Sequence, residues 1–451
     1  MITLRQNSTS PNIGNSNLVH AVTSNSSSEA QYRFVADIND ASGTLLQRVK
    51  QQPNPNATGI FDFGNIVPTY LGPTDTVWDI SVATANTACG KDIQFRFGEE
   101  YATSTTGSVT LYVGDDTAAG NPRVSGSDYV FLLDGVTNPN DLVSWNWNSG
   151  SKYDEEDTYG TPTFNHQNGL TAFDTQSIRE GDYATISILN GNLLGITGSA
   201  VDNGFAQDVY AMKVVQYDSS DSVLDTNTFY NVNTGLRTSS TDLWDDVYLD
   251  QTENTRLVHW PVGYQNLTDA GVLWDQALSY YVVTFHNQTA EPGVNDAGIW
   301  GTYRFNIDTA NCDYPGVRFA WKNEYGVWDY FNMTLAESTT SAIEIESYEQ
   351  SFVNYSSANT STYDTSRRGE SQFQNRVSKT RTAQSDYLTQ ENADNLRELF
   401  FSTNVYVQEG TTFLPVVITN ASVTEKTNPR SQKLFTYTVE YKYANNERPR
   451  V

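Results

Sequence analysis

Apolar and polar positions alternate along most of this chain in short runs. In Ile93-Gln94-Phe95-Arg96-Phe97 the apolar residues fall at every second position. That is the period of a strand with one wet and one dry face. Residues 32–38 and 44–49 carry similar runs around the turn Asn39-Asp40-Ala41-Ser42-Gly43, which predicts a hairpin. Further strands are predicted over 77–82 and 108–113, enough for one sandwich of roughly a hundred residues.

The pattern recurs beyond residue 115 with longer polar loops. Strands are predicted over 129–133, 143–147, 183–189, 209–216, 257–260, 280–286 and 303–307. The turn Tyr217-Asp218-Ser219-Ser220-Asp221 echoes the one at 39–43, and residues 222–224 echo 44–46. The echo leaves duplication of the sandwich open. Residues 317–321 and 327–331 predict an aromatic hairpin, and a polar Ser/Thr/Asn stretch with scattered Tyr runs over 338–387. One helix is predicted near 389–401. Thr389 supplies its N-cap hydroxyl, and Ala393, Leu396, Leu399 and Phe400 supply a single apolar stripe. Strands over 405–407, 414–419 and 434–443 give that stripe a sheet to pack on.

The expected fold class is therefore mainly β: multidomain, with tandem β-sandwiches and a C-terminal β-barrel-like module carrying one short α-helix. Residues 1–30, rich in Ser and Asn, read as an extended N-terminal arm. Residues 31–115 form the first sandwich and 116–310 the second β region. Residues 311–451 form the C-terminal module.

Composition narrows the function classes. The 451 residues carry a formal charge of −26, concentrated in residues 1–360, while residues 361–451 are nearly balanced. An acidic chain lacks the basic counter-surface that phosphates need, so neither a nucleic acid nor an anionic membrane is expected as the main partner. With no window of roughly 20 apolar residues, no membrane insertion is expected. Charged residues are only 18%, yet 38% are hydrophobic, enough to bury cores. The N-terminus has neither the basic start nor the apolar run of an export signal, which implies synthesis in a cytoplasm. Cys89 and Cys312 are too far apart for a CxxC motif; two separate buried thiols are the better reading, with a bridge between them the alternative.

Little of the chain suggests chemistry. The four histidines, His20, His166, His259 and His286, form no HExxH or His-x-His motif, and no serine elbow or glycine-rich phosphate loop is present. Acid pairs Glu99-Glu100, Asp115-Asp116, Asp245-Asp246 and the run Asp154-Glu155-Glu156-Asp157 sit in or beside polar, turn-like stretches, where carboxylates stay hydrated. A glycosidase needs two carboxylates across a cleft, and the 154–157 run is the better place for a hard cation. Neither role is favoured over a solvated loop. Trp145, Trp147, Trp244, Trp260, Trp321 and Trp328 have the flat area that stacks on sugars, but core packing explains them better. No catalytic, cofactor-binding or metal residue is assigned, and no cofactor is expected.

Three stretches together carry a resemblance. The first is Ser16-Asn17-Leu18-Val19, residues 32–38 and Gln51-Gln52-Pro53-Asn54-Pro55. The second is the hairpin Phe319-Ala320-Trp321-Lys322-Asn323-Glu324-Tyr325-Gly326-Val327-Trp328-Asp329-Tyr330-Phe331. The third comprises residues 388–402, 405–407, 414–419 and 437–445. Their order resembles virion proteins of tailed bacteriophages, of crAss-like and marine phage type, and the ending is similar to modules that build tail rings and hubs. The resemblance implies a non-enzymatic virion protein, assembled in the host cytoplasm as ring-like homo-oligomers. Other tail, neck or portal-proximal proteins would be its partners, docked through the N-terminal arm and the C-terminal module. The alternative is a tail fibre or adhesin that binds host surface glycan through Trp145, Trp147 or Trp328. A polysaccharide-cleaving enzyme using Asp154 or Glu155 comes third.

Overall fold

A computed structural model describes residues 2–6, 12–15, 18–40, 42–72, 78–85, 89–113, 129–136, 169–189, 209, 211–230, 257–290, 293–308, 316–351, 353–355, 357–363, 366, 369–420 and 436–445. The protein is mainly β and multidomain, with short helices at Tyr264–Asp269, Gln390–Leu396 and Glu398–Phe401. It divides into two compact units. The first holds residues 1–309 and 321–331, the second 310–320 and 332–451.

The first unit contains two sandwiches. In the first, strands run in the order Asn12–Asn15, Tyr129–Val136, Gly90–Ala102, Ala30–Asp40, Leu45–Gln51, facing a smaller sheet of Ile2–Gln6, Val19–Ser24 and Thr58–Asp62. In the second, the order is Thr175–Ile178, Gly293–Ile307, Tyr280–Ala290, Ala211–Tyr217, Val223–Tyr230, facing Thr185–Leu189, Leu257–Pro261 and Thr84–Ala85. Setting aside Ile2–Gln6, Thr84–Ala85 and Thr110–Val113, which have no counterpart in the other set, each set has seven strands and the connectivity matches strand for strand. In each large sheet the first strand lies parallel to the last, and all later neighbours are antiparallel. In each small sheet the second strand of the set pairs with the fifth. Both sets have the Greek-key arrangement of immunoglobulin-like sandwiches, so the duplication that the turns left open is real at the level of topology.

The two echoing turns share geometry as well as sequence. Asp40 N–H donates to Thr44 O and its carboxylate accepts from Thr44 N–H; Asp218 makes both bonds with Ser222. The fourth turn residue has positive φ in each, +83° at Gly43 and +60° at Asp221. Both are side-chain-supported turns of the Asx kind.

Several expectations need correction. Residues 1–30 are not an extended arm: they supply three strands, with Ile2, Ile13, Leu18 and Val22 buried in cores. Their apolar anchors are single residues spaced too widely to register as a pattern. Residues 78–82 are turns rather than strand, because the Asn266 side-chain amide donates to the carbonyls of Trp78 and Ile80 and fixes the bend. The boundary near 310 is also incomplete, since residues 321–331 return to the first unit. The predicted strand at 143–147 lies outside the described residues.

Periodicity reported the first core well. Phe34, Ala36 and Ile38 on one strand, and Ile93, Phe95 and Phe97 on the next, meet Val22, Phe61 and Phe63 from the facing sheet. By contrast, Val130-Phe131-Leu132-Leu133 is buried on both faces, which is why it reads as a continuous apolar run. Phe131 and Leu133 join Ile13, Cys89, Leu170, Leu257, Tyr325 and Val327 in a second cluster.

Within the second unit, antiparallel strands follow the order Val405–Glu409, Thr412–Ile418, Thr438–Tyr443, Glu370–Gln384, Ala336–Glu349. Phe319 packs edge-on against Tyr441 at 5.2 Å. Thr389 caps the helix by accepting from Asn392 N–H at 3.3 Å, and Ala393, Leu396 and Leu399 are buried as their stripe predicts. The helix breaks at Arg397 into two short pieces.

Candidate functional site

Two constructions are candidates for function: a buried polar seat around the hairpin tip at 321–331, and an exposed ribbon formed by Ala336–Glu349 and Glu370–Gln384. They are opposite in character.

Asn323 organises the seat. Its carbonyl oxygen accepts from Tyr325 N–H at 3.0 Å and Val327 N–H at 3.3 Å. Its amide donates to Leu170 O at 2.8 Å and to Asp329 at 3.2 Å. The other Asp329 oxygen accepts from the Thr171 hydroxyl at 2.5 Å, and the Thr185 and Tyr330 hydroxyls lie 2.9 Å apart. Lys322 reaches Asp134 at 2.5 Å. Burial pushes the Asp134 carboxyl up from its usual range, while the Lys322 ammonium holds it down. Backbone lies against backbone here: a Cβ on Gly135 would stand 2.1 Å from Glu324 O, and one on Gly326 would stand 2.2 Å from Asp134 O. Gly326 also has φ +81°, a second reason for glycine.

Next to the seat, Ser187 Oγ and His259 Nδ1 are 2.7 Å apart, on directly paired strand positions. A Ser–His pair is the beginning of nucleophilic chemistry when a substrate can approach. Here both side chains are buried, His259 completely. The pair ties two strands together across a sealed face. Sequence reasoning missed it because the partners are 72 residues apart and share no motif.

The residues singled out from sequence are mostly dispersed. Trp260, Trp321 and Trp328 are core residues; Trp260 packs on Phe285 at 5.6 Å, Trp321 on Phe173 at 5.9 Å and Trp328 on Trp78 at 5.1 Å. Trp328 therefore offers no sugar platform. Glu99 and Glu100 are not in a hydrated turn but inside the long strand Gly90–Ala102, both buried. Glu99 accepts from the Ser24 hydroxyl and from Tyr32 OH, while Lys50 and Arg33 face Glu100. Each is committed to structural partners. His20 packs among the rings of Phe63, Phe95 and Phe97, and burial pushes its pKa down to about 4. His286 is buried with its Nε2 2.7 Å from the Thr284 hydroxyl. Cys89 is fully buried. Asp115, Asp116, Trp145, Trp147, Asp154, Glu155, Glu156, Asp157, His166, Trp244, Asp245, Asp246 and Cys312 lie outside the described residues. Among the described residues, no group of three or more His, Cys, Asp and Glu is arranged to hold a metal, and no helix is long and apolar enough to cross a membrane.

The ribbon occupies the stretch that reads as merely polar. Its strands are 14 and 15 residues long and antiparallel in register from Ala336↔Gln384 to Glu349↔Glu370, with one irregularity after Glu346. At 3.3–3.4 Å per residue, that is about 45 Å of ribbon. From Ser338 to Glu349 every residue is exposed, whichever face it occupies. One face carries the pairs Ser341/Lys379, Ile343/Val377 and Ile345/Asn375; the other carries Thr340/Thr380, Ala342/Ser378 and Glu344/Arg376. Ile343 is 59% exposed and Ile345 54%. Arg376 stands 3.8 Å from Glu344.

No known protein family and no curated protein matches the chain.

Proposed function

We propose that this protein is a structural component of a tailed-phage virion, placed in the tail or neck, which associates with further copies of itself and docks neighbouring virion proteins. One observation carries the reading: a solvent-exposed β-ribbon about 45 Å long, with aliphatic side chains uncovered at its centre. An isolated two-stranded hairpin is marginally stable in water. A chain that extends one this far therefore gains from covering it. The resemblance to virion proteins supplies the setting, and the acidic excess keeps unassembled copies apart until specific surfaces meet. The buried Ser187–His259 pair serves as a tie between two paired strands.

Mass spectrometry and antibody labelling of purified phage particles test the proposal. The protein is expected in intact particles, at a fixed ratio to the other structural proteins and at one location along the neck or tail. Absence from particles, or release of sugars from host polysaccharide by the isolated protein, would overturn it.

A further inference from the structure

The two strands of the ribbon are complementary to each other, and the same complementarity is presented on its two outer edges. Ala336–Glu349 is the last strand in its sheet, and Glu370–Gln384 pairs outward only at residues 381–384, with Thr438–Tyr443. Among the described residues, the outer edges of 338–349 and 370–380 therefore pair with no other strand. In an antiparallel pair, backbone groups alternate between pointing at the partner and pointing away. Positions that point away stand at matching heights on the two strands. A second ribbon laid alongside, in the same direction and without shift, would thus find its donors opposite acceptors along the regular stretch from Ser338 to Glu346, ahead of the irregularity.

The side chains agree with that register. The outer edge of one copy would bring Ile343 beside Val377 of the next, and Glu344 beside Arg376, repeating the pairs already made within each copy. Cross-strand pairs of opposite charge and of branched aliphatics are the favourable ones. No proline interrupts residues 336–349 or 370–384, and the charges at the centre of the two edges, Glu344 and Arg376, are of opposite sign and so complement rather than repel each other between copies.

We infer that the ribbon is an edge-to-edge assembly surface whose partner is a second copy of this chain, with the outer edge of 338–349 in one copy hydrogen-bonding to the outer edge of 370–380 in the next. The contact is head-to-tail, so each copy uses two different edges and leaves one of each for further copies. This deepens the self-association proposed above and needs no virion to be tested.

The experiment uses cysteine pairs in the full-length protein, read against wild type, which carries Cys89 and Cys312. Ser341→Cys and Lys379→Cys proteins are oxidised separately and as a mixture. Edge-to-edge pairing predicts cross-linked dimers in the mixture and wild-type levels in either variant alone. Charge variants give a second readout by analytical ultracentrifugation. Glu344→Arg and Arg376→Glu should each lower self-association at least tenfold. Mixing the two should restore it, because the reversed edge of one variant then meets an edge of opposite charge on the other. Circular dichroism of each variant checks that the fold survives. Cross-linking of Ser341→Cys with itself would show a two-fold face contact and overturn the inference. So would a wild-type monomer at high micromolar concentration, or oligomers indifferent to both charge variants. A ribbon-dependent oligomer in a protein absent from particles would overturn the virion proposal and leave this interface standing.

Discussion

Two hairpins follow one another within seventy residues and have opposite fates. The tip of the first, residues 321–331, is wrapped in the first unit: Trp321, Tyr325, Trp328, Asp329 and Tyr330 are all buried. The second, from Ala336 to Gln384, keeps both faces in water over most of its length. The first is rich in aromatics, and its polar groups are paired inside: the Asn323 side chain alone makes four hydrogen bonds. The second is rich in Ser and Thr, whose branched or small side chains suit a pleated surface without demanding burial. Composition here separates what a chain uses to hold itself together from what it leaves available to others.

Substitutions should reproduce that division. Trp321→Ala removes a completely buried indole and is expected to lower unfolding free energy by about 4 kcal/mol, read by urea denaturation; a loss below about 1 kcal/mol would mean that the tip is not seated as described. The next largest effect comes from acid. His20 is buried with a pKa lowered to about 4 from 6.5, so the unfolded state takes a proton that the folded state refuses. This penalty is absent above pH 6.5 and grows as pH falls through that value toward 4, reaching about 3 kcal/mol. His20→Leu should flatten the slope of melting temperature over this window while leaving the slope elsewhere intact. Asp329→Ala strands the Thr171 hydroxyl and one Asn323 bond, at a cost of about 2 kcal/mol by the same denaturation measurement. The smallest effect belongs to the ribbon. Ile345→Ser should change the unfolding free energy by less than about 0.5 kcal/mol, because more than half of that side chain is already in water. A larger loss in dilute, monomeric protein would show that the ribbon is part of the fold after all.

What the sequence disclosed follows the same physics. Strict alternation appears where a strand has one dry face, as at Ile93, Phe95 and Phe97, and those strands were legible to within a few residues. The Asp40 and Asp218 turns were legible because their side chains build the turn locally. The ribbon was not, because a strand with no buried face has no apolar period to show. The strands within residues 2–24 were missed for a related reason, since each contributes only one or two anchors to a core assembled elsewhere. The Ser187–His259 pair and the seat at Asn323 depend on residues brought together from distant segments, and no local pattern announces them. Glu99 and Glu100 looked like a hydrated pair because their partners Ser24, Tyr32, Lys50 and Arg33 lie on other strands.

The seating of residues 321–331 has a consequence for synthesis. Leu170, Thr171 and Asp134 emerge from the ribosome well before the segment that completes their surroundings, so the earlier part of the nascent chain waits with a vacant socket until about 150 further residues have been translated. At roughly 5–20 residues per second that delay is on the order of ten seconds or more. During it, the polar groups destined for Asn323 and Asp329 remain open to solvent and to chaperones. Completion of the first unit is therefore timed by the arrival of a hairpin encoded about 150 codons after the segment that receives it.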